Sequence, residues 1–240
     1  MKEKQKVKKR RFFLLTFLFL TTYITSKTFK KVSYQDISIF GSELFSTQDI
    51  VASSSLNLPT PLILVKTIYI EKELKKNLSL KNVSVFRQVF PFGLKILIKT
   101  REPIAHGERT VKGEKITGFV DEEGFFFNEK YSDQEISKKL SSKVFGWKDN
   151  YRERLSKILN FQKDNDVVFI TITFSPNGFL TLEEKSLKTI LLGFNPKIIE
   201  NQLQVINNLK NQIKENNILE KIDNIDLTDP SNPKIKVFKP

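Results

Sequence analysis

The 240-residue sequence has no cysteine, a single histidine (His106) and only two alanines, Ala52 and Ala105. Without cysteine no disulfide can brace the fold, and the redox compartment is left open. A lone histidine with no cysteine companions makes a poor transition-metal site. No acidic loop of EF-hand spacing offers calcium a cage. Also missing are G-x-S-x-G, H-E-x-x-H, the P-loop and G-x-G-x-x-G, so no nucleophile, zinc or nucleotide site is announced. The adjacent acids Glu122 and Glu123 could suggest a glycosidase, but that chemistry needs carboxyls about 5–9 Å apart across a substrate. Their turn position reads instead as solvated charge, and His106 reads as a surface or linker residue. The expectation is a chain with no catalytic residues, cofactor, metal or small-molecule substrate.

What is abundant is positive charge and phenylalanine, with a formal charge of +13 and 21 Phe. The charge is unevenly placed. Residues 1–31 hold ten Lys/Arg against Glu3 alone, leaving 30 basic and 26 acidic side chains for the other 209 residues. A basic groove for nucleic acid would spread its cations over a folded face, so nucleic acid is not an expected partner.

The basic run (1–11) leads into Phe12–Ser26, a stretch without charge that carries Phe12, Phe13, Leu14, Leu15, Phe17, Leu18, Phe19 and Leu20. Fifteen helical residues span about 22 Å, short of a hydrocarbon core of about 30 Å. Arg11 and Lys27 can snorkel and lengthen the span. The shortness suits a cleaved signal, but no A-x-A-like site follows, so 12–26 is read as a retained transmembrane helix. Seven cations before it against three soon after place the N-terminus in the cytoplasm and the bulk of the chain across the plasma membrane.

Residues 32–103 read as a small α+β module. A strand ends at Phe40, and Gly41 permits a turn. Ser46 and Asp49 mark the start of a brief helix, and "ASSSLNLPTP" is a loop. Ile70, Leu74 and Leu78 stripe an amphipathic helix. Val83 and Val85 open a hairpin through "FPFG", with Pro91 expected at i+1 of a type I turn. Leu94, Ile96 and Ile98 form the inward face of the return strand. That strand finishes at Thr100; Arg101 and Glu102 are expected to be solvated, and Pro103 cannot extend the ladder. Arg101, Glu102 and Pro103 thus mark a domain joint.

Residues 104–240 read as a mostly antiparallel sheet with a few helices. Ile116, Val120 and Phe125–Phe127 flank an Asp121–Gly124 turn. "DNYRERLSKILNFQKDN" is a helix with Leu155, Ile158 and Leu159 inward. Three strands follow, joined by turns at Pro176–Gly178 and Glu183–Glu184. Asn195 caps a helix striped by Ile199, Leu203, Ile206 and Ile213. A closing hairpin pairs Ile225–Thr228 with Lys234–Phe238. Its last strand is a candidate open edge for strand addition by a partner, although Lys234, Lys236, Pro233 and Pro240 are residues that also blunt edges.

The β-α-α-β-β order and its residues resemble the POTRA domain of the bacterial cell-division FtsQ/DivIB family. The likeness is carried by Ile39-x-Gly41, Leu74, Val83-Ser84-Val85-Phe86-Arg87 and Pro91-x-x-Leu94-x-Ile96-x-Ile98, closed by Arg101-Glu102-Pro103-Ile104-Ala105. It continues in "GFVDEEGFFF", "LLGFNPKIIENQLQVINNL" and "IDLTDPSNPKIKV", with departures at Ser79, Ser142 and Thr228. The resemblance implies a non-enzymatic divisome protein, enriched at the division site, that bridges early division proteins and the septal peptidoglycan synthesis machinery. It implies FtsB/FtsL-type bitopic partners received at Ile225, Asp226, Leu227, Thr228 and at Lys234, Ile235, Lys236 and Val237. A POTRA-bearing accessory of protein transport or outer-membrane assembly is the alternative; the chain has one such unit and no long series of barrel strands.

Overall fold

A computed structural model describes residues 2–132, 138–165, 167–216 and 222–237, with the side chains of 2–11 and 213–216 left out. Ile213 as a side chain, Phe238 and Pro240 therefore lie outside the described residues. The chain divides into two units, Met1–Thr100 and Arg101–Pro240. Its class is α+β, with an apolar N-terminal helix, a small three-stranded domain and a large, mostly antiparallel sheet.

Helix α1 runs Lys2–Phe29, and its apolar window is Phe12–Phe29, 18 residues with none buried. That window is about 27 Å long at ~1.5 Å per residue, closer to a bilayer core than the stretch ending at Ser26. The helix continues because Lys27 sits in its last turn, where a cation complements the dipole. Its threonines do not demand water. Thr16 Oγ1 donates to the Phe12 carbonyl at 2.8 Å, Thr21 to Phe17 at 3.0 Å and Thr25 to Thr21 at 2.7 Å. Hydroxyls satisfied within their own helix can enter hydrocarbon at low cost.

In the first unit β1 (Lys31–Val32) pairs with β3 (Thr60–Pro61) as a two-stranded clip. The main sheet has β2 (Ile37–Phe40) parallel to β5 (Gly93–Lys99), and β4 (Asn82–Gln88) antiparallel to β5. Leu94, Ile96 and Ile98 are buried while Leu97 and Lys99 are exposed, as alternation requires. Helices α2 (Thr47–Ala52) and α3 (Thr67–Asn77) supply Ile50, Ile70 and Leu74 to that core. Ser46 caps α2 by accepting the Asp49 N–H at 3.2 Å, and the Asp49 carboxylate accepts the Ser46 N–H at 2.9 Å. This reciprocal box satisfies two otherwise orphaned donors. Gly41 has φ +92° against the backbone of Ile98, where a Cβ would collide. The hairpin tip lies at Val89–Phe92, between β4 and β5, and its Phe90–Pro91 peptide is cis.

The second unit is built on one nine-stranded sheet in the order β14-β13-β12-β11-β10-β9-β6-β7-β8. Its strands are β6 (Ala105–Val111), β7 (Glu114–Val120), β8 (Phe126–Phe127), β9 (Lys143–Phe145), β10 (Phe169–Phe174), β11 (Leu180–Glu184), β12 (Lys188–Gly193), β13 (Ile222–Asp226) and β14 (Lys234–Val237). Neighbours pair antiparallel except at β6–β9, β9–β10 and β12–β13. Helix α4 (Arg152–Asp164) buries Leu155, Ile158 and Leu159, and α5 (Ile199–Asn216) buries Ile199, Leu203 and Ile206. Both pack their apolar stripes into one core with Ile172, Leu182, Ile190 and Ile225. Burying each such side chain contributes about 1.5–3 kcal/mol, so the sheet's helix-covered face dominates the stability of this unit.

Three expectations fail here. The β11–β12 turn lies at Lys185–Leu187, one step past Glu183–Glu184. Glu184 is a buried strand residue whose carboxylate accepts the Ser186 and Leu187 N–H groups at 2.6 and 2.9 Å and pairs with Lys210 at 3.3 Å. A carboxylate that satisfies the turn's own donors belongs inside the strand end. His106 is a half-buried strand residue in β6, its ring 5.4 Å from that of Phe119, so of the surface and linker readings only the linker one fails. The last hairpin begins at Ile222, three residues earlier than read, because Ile222 also faces the core.

Candidate partner-binding edge

Arg101 and the β14 strand are the two places singled out by residue type, and the structure treats them in opposite ways. Arg101 is buried at 7 % exposure, against the expectation of a solvated residue. Its guanidinium pairs with the buried Asp121, reaches Glu123 at 3.2 Å and lies 3.8 Å over the Phe125 ring. Asp121 also accepts the N–H groups of Glu123 and Phe125 at 3.0 and 2.9 Å. A buried cation is tolerated only with such a full set of partners. Glu123 pairs in turn with Arg152 at 3.1 Å, and Glu122 lies 3.6 Å from Lys163. The two acids are thus ion-paired while their side chains stay 42 % exposed, so they are solvated charges with partners. Gly124, at φ +71°, abuts the Arg152 carbonyl and leaves no room for a Cβ. Trp147 Nε1 donates to the Gly124 carbonyl at 2.9 Å. The Asp121–Gly124 turn is therefore fastened to both Arg101 and α4. Glu102 is exposed and Pro103 buried.

The opposite treatment is found at β14, which ends the sheet order and has all four residues exposed. It pairs with β13 in the register Ile225↔Ile235, Asp226↔Lys234, Asn224↔Lys236 and Ile222↔Val237. Cross-strand partners share a face, so Ile235 and Val237 continue the core face of Ile225 and Ile222. There they are 45 % and 48 % exposed, whereas Ile225 and Ile222 are buried. The apolar face outruns its cover at this strand. Lys234 and Lys236 take the other face, and Lys236 lies 3.6 Å from Asp223.

The remaining implied contact residues divide by burial. Ile225 and Leu227 are fully buried, and the Leu227 N–H donates to the Leu191 carbonyl at 2.8 Å. Gln202 Nε2 donates to the carbonyls of Leu192 and Leu227 at 2.7 Å each. Ile225 and Leu227 therefore hold the strand rather than offer side chains outward. The Asp226 carboxyl accepts the Thr228 hydroxyl at 2.7 Å and its N–H at 2.9 Å, and these bonds, with nearby Lys234, hold its pKa below the usual value. Asp229 does the same with Ser231, and its pKa is lowered in the same direction. The two turns fix the Leu227–Pro233 loop that delivers β14.

Among the described residues, no group of three or more His, Cys, Asp or Glu stands close enough to hold a metal. Sequence reading missed Arg154, which is buried on the inward side of α4. Its signal was present: it precedes Ile158 by four residues and so lies on the apolar stripe.

Residues 32–101 match the family model described as "POTRA domain, FtsQ-type". The first unit contains an FtsQ-type POTRA domain. Comparison with curated proteins gives no match. The POTRA match begins at Val32 of β1 and ends at Arg101, so it takes in the three-stranded sheet, α2 and α3. It is consistent with the FtsQ/DivIB family, and the N-terminal apolar helix fits a single-pass membrane protein. The domain supports a division-related role in protein–protein interaction.

Proposed function

We propose that the protein is a non-enzymatic, single-pass divisome protein that bridges early division proteins and the septal peptidoglycan synthesis machinery. The FtsQ-type POTRA match directly behind an apolar helix is the observation that carries this reading. The cation-rich stretch before Phe12 keeps the N-terminus cytoplasmic, and residues 32–103 and 104–240 act as two domains across the plasma membrane. Arg101, Glu102 and Pro103 serve as their joint. The chain gathers at the division site.

The bitopic FtsB/FtsL-type partner adds a strand to β14. Backbone groups on the outer side of an edge strand supply its hydrogen bonds, and the half-exposed Ile235 and Val237 supply apolar contact. The lysines 234 and 236 on the opposite face favour an acidic strand.

The test is pull-down of division proteins from membranes by the full chain and by its Ile235→Lys/Val237→Lys variant, with septation followed in depleted cells. Loss of capture with an intact fold, and filamentous or enlarged cells on depletion, are expected. Normal division after depletion, with defective envelope assembly, contradicts the proposal.

A further inference from the structure

In the second unit, where the β10–β11 loop, the end of β12 and the lead into α4 meet, lies a cavity of about 290 Å³ lined by Asn150, Tyr151, Arg154, Asn177, Gly178, Phe194 and Pro196. Arg154 is the one charged residue of this lining. It is 6 % exposed and forms no ion pair with any described residue. Its Nη2 donates to the Gly193 carbonyl at 3.0 Å, and Nη1 stands 3.5 Å from the Phe194 carbonyl. Its Nε is buried and has no partner.

That arrangement is costly as it stands. A buried, unsatisfied donor on a charged group is destabilising, and burial lowers the Arg154 pKa. Two backbone carbonyls orient the guanidinium but carry no formal charge to balance it. Contrast Arg101, whose burial is matched by Asp121 and Glu123. The rest of the lining indicates what would complete the site. Asn150 and Asn177 bring amide donors. Tyr151, stacked on Phe174 at 4.5 Å, Phe194, edge-on to Phe179 at 5.1 Å, and Pro196 bring flat apolar walls. One cation with amides and aromatic walls suits a singly charged planar group on an apolar stem, and suits a dianion poorly.

We propose that this cavity binds a peptide carboxylate, seated on Arg154 with its apolar or aromatic stem against Tyr151 and Phe194. The site shares no lining residue with β14 and does not depend on strand addition. Nη1 and Nη2 each carry a second N–H beyond the one turned to the Phe194 or Gly193 carbonyl, so the fork can meet a carboxylate without losing its hold on Gly193.

The test uses the full chain in detergent micelles, with the arginine Nε–H resonances followed by NMR. N-acetyl-phenylalanine is titrated, with its amide and inorganic phosphate as controls. The acid is expected to shift the Arg154 Nε–H resonance saturably, and the neutral amide is expected to leave it in place. Arg154→Lys should weaken the acid about tenfold by removing the fork while keeping the charge. Phe194→Ala, at a 57 % exposed rim residue, should weaken it about threefold with the fold unchanged. An equal response to acid and amide, tighter binding of phosphate, or no saturable shift overturns the proposal, and these readings on the parent chain stand even where a variant fails to fold. Two peptides separate the sources of the carboxylate. Acetyl-Gly-Gly-Phe with a free terminus reports a chain end, acetyl-Gly-Glu-Phe-amide reports a side chain, and binding of neither peptide overturns the proposal.

Discussion

Arg101 and the strand Lys234–Val237 both combine charge with β-forming neighbours, yet one is sealed and the other open. Arg101 has two carboxylates and an aromatic face around it. At β14, Ile235 and Val237 extend a core face past its cover, and the lysines look outward. The difference teaches that residue type alone does not separate a structural charge from a recognition surface. What separates them is whether the fold already supplies the partners.

The sharpest way to break the comparison is Arg101→Ala. Removing one member of a buried pair leaves Asp121 uncompensated and should cost about 3–5 kcal/mol, read as a lowered denaturation midpoint of the second unit. A change below about 1 kcal/mol, the range of an exposed pair, would place Arg101 in the same class as the edge lysines. The Ile235→Lys/Val237→Lys variant should do the reverse: stability within about 1 kcal/mol of the parent, and partner capture at least tenfold weaker.

Smaller effects sharpen the contrast within the POTRA domain. Ser46→Ala removes a cap that satisfies α2 and should cost about 1 kcal/mol of that domain's stability in denaturant melts. The smallest expected effect is on pH. The folded-state pKa values of Asp36, Asp226 and Asp229 are lowered, chiefly by the hydroxyls of Ser33, Thr228 and Ser231. A depressed carboxylate contributes stability above its unfolded pKa, about 3.9 for Asp, and loses it as pH falls through the folded value. Melting temperature should therefore decline below about pH 4. Asp226→Asn should remove its own share of that decline, flattening the curve in the second unit while leaving the first unit's unchanged.

Local patterns were legible where one residue type had one physical use. The Ser46/Asp49 box, the Ile70/Leu74 stripe, the alternation of Leu94, Ile96 and Ile98, and the Asn195 cap, which accepts the Lys197 N–H at 3.0 Å, all form as their chemistry dictates. The POTRA order was readable because each of its elements is short and locally signalled. Less legible were features set by distant partners. Nothing near Arg101 in sequence announces Asp121, 20 residues on. The short strand β9, parallel to both β6 and β10, depends on pairings that leave no local period. Glu184 looked like a turn acid because its bonds to Ser186, Leu187 and Lys210 exist only in the folded strand end. At the candidate edge, alternation placed the lysines and the apolar residues on opposite faces, but the burial of Ile225 and Leu227 required the helix α5 that covers them.

The central claim, an open β14 edge that receives a partner strand, is tested most directly by photo-cross-linking in growing cells. Benzoylphenylalanine is placed at Lys236 and, for comparison, at Lys112 on the β6–β7 turn. The account predicts a cross-link from position 236 to a single-pass division protein and none from position 112. A cross-link from 112 with none from 236 would contradict it.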